Sequence, residues 1–128
     1  MKSFVVVLLL VTIAGCMPAA STDPIIDLPT GDAAAGEVLF NTGIGSQLPC
    51  SECHSLDGAR GTGPSVLGFG AIAATRQNGK DAIQYAANSI ISPGSYILSG
   101  FSNLMPGTYS RDLSRQQLAD LIAFLLSL

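Results

Sequence analysis

Positive charge is scarce in this sequence. Six Lys and Arg stand against nine Asp and Glu in 128 residues, a formal charge of −3. So few cations cannot make a clustered basic face, which excludes nucleic-acid binding. Histidine is scarcer still: His54 is the only one, and the cysteines are Cys16, Cys50 and Cys53. The apolar run near the N-terminus, Phe4 to Ile13, is far short of the ~20 residues that a membrane-spanning helix needs. No alternating apolar and polar stretch marks a strand, and no segment repeats.

What the N-terminus does contain is a signal. "MKSFVVVLLLVTIAGC" has one positive charge, Lys2, ahead of its apolar run, as secretory signals do. Its end, Ile13-Ala14-Gly15-Cys16, resembles a bacterial lipoprotein box, in which the cysteine thiol is lipidated and the cysteine becomes the new N-terminus. The alternatives are a short uncleaved anchor or an ordinary signal cut near Ala20. On the lipoprotein reading, residues 1–15 are removed and 113 remain, enough for one compact domain. Five basic residues then face nine acidic ones, a charge of −4. Residues 16–30, with three prolines in "MPAASTDPIIDLPT" and no helical period, form a lipid-anchored tether. Its stretch from Met17 to Thr30 reaches at most ~46 Å at about 3.3 Å per residue. The folded domain is 31–128, in the bacterial periplasm or on the outer face of the cytoplasmic membrane.

Within that domain the apolar spacing is helical. In "TGDAAAGEVLFN", Thr30 or Asp32 can cap a helix whose apolar side is Val38, Leu39 and Phe40. "KDAIQYAANSIISP" places Ile83, Ala86, Ala87, Ile90 and Ile91 at helical spacing until Pro93 stops it. "SRQQ" makes a capping box of Ser114 and Gln117, opening a last helix with the stripe Leu118, Leu121, Ile122 and Leu125. Glycine-rich Ser55 to Gly79 has no sustained period and reads as loop, as does "GSYILSGFSNLMPGTYSRD". Such long loops need an organiser other than themselves.

"CSECH", residues 50 to 54, supplies one. C-x-x-C-H is the attachment signature of a c-type haem. Each thiol adds to one vinyl group of the porphyrin, two intervening residues let one turn of chain reach both, and the histidine follows as the proximal iron ligand. A zinc site would need a fourth ligand, for which only Asp57 is at hand. A thioredoxin-like pair would need a βαβ context. A buried histidine beside a disulfide would leave the glycine-rich loops unorganised. Covalent haem gives a small domain the core that its own side chains cannot supply.

One histidine forbids bis-histidine ligation. Met1 leaves with the signal and Met17 abuts the anchor; Lys80, the sole lysine after Lys2, starts a helix where exposure is expected. Met105 remains as the distal ligand, in "SNLMPGTY", where Pro106 and Gly107 bend the chain to present a side chain inward. Core packing is its ordinary alternative.

Taken in order, these segments resemble a class I monohaem c-type cytochrome across residues 31–128. "GDAAAGEVLF" is similar to its first helix, "CSECH" to its haem motif, "GTGPSVLGF" to its proline loop, "NLMPGTY" to its methionine loop and "LADLIAFLLSL" to its last helix. The resemblance implies an all-α fold of three to four helices and long loops around one covalent haem c. It implies Cys50 and Cys53 as thioether residues and His54 and Met105 as axial ligands. It also implies that the Pro64 carbonyl accepts a hydrogen bond from His54, which fixes the ring and raises its basicity. Gly36 and Phe40 resemble the face that crosses the last helix at Phe124. Asn103, Tyr96 and Tyr109 are candidates for haem propionates or methionine tuning, with loop packing as the alternative. The lysine-poor surface and "NSIISPGSYILSGFSNLMP" are similar to monohaem subunits of bacterial quinol-oxidising assemblies, alternative complex III above all.

The function implied is one-electron transfer and not catalysis. The chain would take electrons from a quinol-oxidising complex and pass them to a terminal oxidase or another carrier, with no small-molecule substrate. An acidic surface favours a basic partner, and a tether lessens the need for steering by raising local concentration. A haem enzyme or gas sensor with an open sixth iron position is the alternative; no second histidine or obvious distal arginine supports it.

Overall fold

The structure is a computed structural model and describes Ile25 and residues 27–128. The signal, Cys16 and most of the proposed tether lie outside the described residues. Five helices follow in order: α1 (Ala33–Thr42), α2 (Phe69–Arg76), α3 (Ala82–Ile91), α4 (Tyr109–Asp112) and α5 (Arg115–Ser127). Single 3-10 turns lie at Cys50–Glu52 and Pro93–Ser95. No strand occurs among the described residues, and none of their helices is long and apolar enough to cross a membrane.

The helix ends follow the expected chemistry. Asp32 caps α1, accepting from the Ala34 and Ala35 amides. Capping boxes open α3, with Asp81 and Gln84, and α5, with Ser114 and Gln117. In each, two amides with no partner inside the helix are satisfied reciprocally.

Helix α5 is the hub, packing against α1, α2 and α3. Its buried stripe of Leu118, Leu121, Ile122 and Leu125 joins Phe40, Ile44, Ala86, Ala87 and Ile90 in one apolar core. At the α1–α5 crossing a Cβ on Gly36 would lie 2.0 Å from the Asp120 carbonyl oxygen. Only a glycine lets the two backbones approach that closely. The Phe40 and Phe124 rings meet beside it, centroids 5.3 Å apart. Asp120 is buried, but its Oδ1 accepts from the Asp32 amide and from Gln116 Nε2, both at 2.8 Å, which offsets its desolvation.

Four expectations need correction. The second segment read as loop, up to Asp112, ends in the short helix α4. The glycine-rich stretch after the cysteines contains a real helix, α2. It has no side-chain cap, and its first residues are held by tertiary contact: the Gly70 amide donates to the Leu128 carbonyl at 3.1 Å. Val38 and Ile83, placed on the apolar faces of α1 and α3, are 60% and 49% exposed. Gly36 with Phe40, as the resemblance implied, and Ala86, Ala87 and Ile90, as the spacing implied, make the inner faces, joined by Tyr85. Lys80 is half-buried, not exposed. In addition, Ile25 and Leu28 pack on the core. Arg115 Nη2 donates to the Asp27 carbonyl at 2.6 Å and Gln116 Nε2 to that of Thr30 at 2.9 Å, so this stretch is held against the start of α5.

Candidate functional site

The turn at Cys50–Glu52 does what the motif needs. The Cys53 and His54 amides donate to the Cys50 carbonyl at 3.1 and 3.0 Å, so one turn of chain brings both thiols and the imidazole to one wall of a cavity. Both thiols are half-buried and not joined to each other. Burial raises the Cys50 thiol above its usual titration range, and the neighbouring Cys53 adds to this.

His54 Nδ1 lies 2.8 Å from the Pro64 carbonyl oxygen. A carbonyl can only accept, so Nδ1 carries the proton and Nε2 keeps a free lone pair. Gly63 packs flat against the same ring; a Cβ there would sit 2.5 Å from His54 Cε1. The loop is fixed around the histidine by further bonds, with the Gly63 amide donating to Cys53 and the Val66 amide to Ser55, both at 2.9 Å. Asp57 accepts from the Ala59 amide, which with Ser55 lowers its carboxyl below the usual range. It is tied into this loop, and no group of three or more His, Cys, Asp or Glu side chains is arranged to hold a metal ion among the described residues.

The cavity has a volume of about 410 Å³. Cofactor sites run from roughly 300 to 1,000 Å³. Its deep wall is apolar, from Phe40, Ile44, Val66, Phe69, Leu121 and Leu125, and Met105 lines it together with Cys50, Cys53 and His54. Met105 is half-buried on the irregular loop between Ser95 and Tyr109. Tyr96, Asn103 and Tyr109 line the same space. Tyr96 donates to the Arg76 carbonyl at 2.9 Å, whereas buried Tyr109 has its hydroxyl pushed above the normal range by desolvation. Two free thiols spaced by one turn, a nitrogen and a thioether donor, and apolar walls suit a flat macrocycle with a central metal. The residues fit a covalent haem.

Several residues here escaped sequence reasoning. Arg76 lines the cavity, Gln47 Nε2 donates to Thr108 Oγ1 at 3.0 Å, and Arg60 reaches across to Gly100 and Phe101. Each joins segments tens of residues apart, and no local spacing signals it. Gly63 was visible only as part of "GTGP".

The fold and site together define an all-helical haem-binding domain. A model of the family described as Cytochrome c matches residues 33–128, and the chain belongs to that family. It is a c-type cytochrome of the electron-carrier type, with covalently bound haem c as its cofactor. No curated protein matches the chain.

Proposed function

We propose that this protein is a membrane-tethered one-electron carrier whose iron is held by His54 and Met105 and whose haem is bonded to Cys50 and Cys53. The observation that carries this reading is that these four side chains line one cavity. The haem supplies a one-electron couple. The chain supplies the conditions under which that couple works without substrate binding. Pro64 holds His54 as the tautomer whose Nε2 is available for iron, and raises its basicity. The Met105 thioether would be the second protein ligand to the iron and, compared with a second nitrogen base, would favour the ferrous state. The apolar wall excludes water and lowers the local dielectric, which again disfavours the more highly charged ferric iron.

In this reading, residues 1–15 are a removed signal and Cys16 is lipidated on the outer side of a bacterial cytoplasmic membrane. The packing of Ile25 and Leu28 supports a short leash. Residues 16–24 alone set its reach, about 30 Å fully extended. The domain takes electrons from a quinol-oxidising complex, as a subunit of an assembly of the alternative complex III kind, and passes them to a terminal oxidase or another carrier. It transfers electrons without itself being a catalyst. The sparse lysines support a tether, not a basic docking ring, as the source of encounter rate.

The test is the optical spectrum of protein purified from membranes, oxidised, reduced, and reduced under carbon monoxide. A low-spin spectrum unmoved by carbon monoxide is expected. A high-spin or carbon-monoxide-responsive spectrum would replace this reading with an enzyme or gas sensor.

A further inference from the structure

The loop that carries Met105 has little structure of its own. Between Tyr96 and Thr108 its internal backbone hydrogen bonds are Phe101 to Leu98 at 3.1 Å and Leu104 to Ser102 at 2.9 Å. Its ends are fastened by neutral bonds, Tyr96 to the Arg76 carbonyl and Thr108 to Gln47. Its middle is fastened by one cation. Arg60 donates to the Gly100 carbonyl, and its guanidinium lies 4.4 Å over the Phe101 ring centroid. Arg60 itself sits between His54 and Pro64, on the loop that holds the histidine.

Two details make this more than a surface contact. Gly100 has φ +87, a left-handed conformation that turns its backbone at the residue whose carbonyl meets Arg60. Phe101 lines the cavity, four residues before Met105, so whatever holds its ring holds the run of chain leading to the methionine. A planar guanidinium can donate in its plane and stack through its face at once; an ammonium has no planar face to stack.

We propose that Arg60 is a positioning residue: it latches the Met105 loop to the His54 loop and thereby sets how firmly the sixth iron position is closed. This rests on the reading of Met105 as the distal ligand. Where that position must open before an outside ligand enters, apparent affinity scales with the open fraction. Loss of the charge-assisted bond and the ring contact should raise that fraction about tenfold. Loss of the ring contact alone, or replacement by an ammonium, should raise it about threefold.

The experiment uses the full haem-loaded chain in the ferric state. Imidazole is titrated into wild type, Arg60→Ala, Arg60→Lys and Phe101→Leu, while the far-red methionine-to-iron charge-transfer band is recorded and urea unfolding is run in parallel. The expected result is the order Ala, then Lys and Leu together, then wild type in imidazole affinity. The urea midpoints of the two Arg60 variants should stay close to that of wild type, because Arg60 is exposed. Equal imidazole affinity in Arg60→Ala and wild type, with the band intact in both, overturns the latch alone. So does a gain in affinity matched by an equal loss of global stability. Absence of the band in wild type instead overturns the Met105 reading, and the latch falls with it.

Discussion

Replacing Gly36 by alanine tests the helix crossing on which the whole site is hung. The added methyl would lie 2.0 Å from the Asp120 carbonyl oxygen, 2.5 Å from its carbon and 2.8 Å from Phe124 Cβ. Two of those atoms are backbone, so no rotamer change relieves the clash. Restoring an ordinary contact of 3.4 Å requires α1 to retreat from α5 by about 1.4 Å. The 2.8 Å bond from the Asp32 amide to Asp120 cannot survive that, and the Phe40–Phe124 ring contact opens with it. Overpacking costs about 1–3 kcal/mol and the bond to a carboxylate about 1.5–3, while alanine returns about 1 as the better helix former. The net loss is about 1.5–5 kcal/mol, a large part of the roughly 5–15 that holds a domain of this size. Urea unfolding of the haem-loaded protein, followed by far-UV circular dichroism, measures it. Gly107→Ala is the control, because its Cβ would meet nothing within 4 Å and its φ is not left-handed. A Gly36→Ala midpoint equal to or above that of the control would refute the close-crossing argument.

Gly63→Ala should disturb the iron without unfolding the chain. Its methyl would press on His54 Cε1 and Nδ1, at 2.5 and 2.8 Å, and force the ring off the Pro64 carbonyl. A less basic imidazole stabilises ferric iron less well, so the reduction potential should rise by about 40 mV, one hydrogen bond of ~1 kcal/mol. An unchanged potential in spectroelectrochemical titration would dissociate Pro64 from the tuning of His54. For pH, burial raises the Tyr85 and Tyr109 hydroxyls above their ordinary range. The folded state then holds protons that the unfolded chain releases above about pH 10, so stability is complete below that pH and declines above it. Tyr109→Phe should flatten part of the alkaline fall in the urea midpoint; an identical slope in both proteins would refute a buried Tyr109.

The parts of the fold that could be read from the sequence are those whose causes are local. Asp32, the Ser114–Gln117 box and the α5 stripe announce themselves within a turn or two, and CSECH carries its chemistry in five residues. Helix α2 does not. Two of its flanking and early residues are Gly68 and Gly70, which read as loop, and it is a helix because Gly70 fits under Leu126 and bonds to Leu128. On α1 the resemblance places Gly36 and Phe40 at the crossing, but hydropathy misplaces Val38 for a related reason. Val38 is the more apolar residue, but the crossing needs a missing side chain at Gly36, and hydropathy does not score an absence. The links from Arg60 to Gly100 and Gln47 to Thr108 span forty and sixty-one positions, and a single sequence holds no trace of such pairs.

The two kinds of stabilisation are divided in space. Helices α1, α3 and α5 share a core of Phe40, Ala86, Ala87, Ile90 and Leu121, and three of these, Phe40, Ile90 and Leu121, also form the wall of the cavity. The loops that follow Cys53 and Ser95 touch that core through few residues. One polar clip joins them at their outer edge, Arg60 to Gly100, while Tyr96 to Arg76 and Gln47 to Thr108 fasten the second loop to α2 and to the chain before Cys50. Each such clip is worth about 1 kcal/mol, while ordering the thirteen residues from Tyr96 to Thr108 costs about 1–2 kcal/mol apiece in backbone entropy. The clips cannot carry that cost. The inner faces of these loops, Leu98, Phe101 and Met105, are half-buried and turned to the cavity, so their burial is completed by the haem and not by protein. The cofactor is thus the second half of the core. A chain so built couples its redox centre to its own loop order, which is why small changes at the outer clips should be felt at the iron before they are felt by the fold.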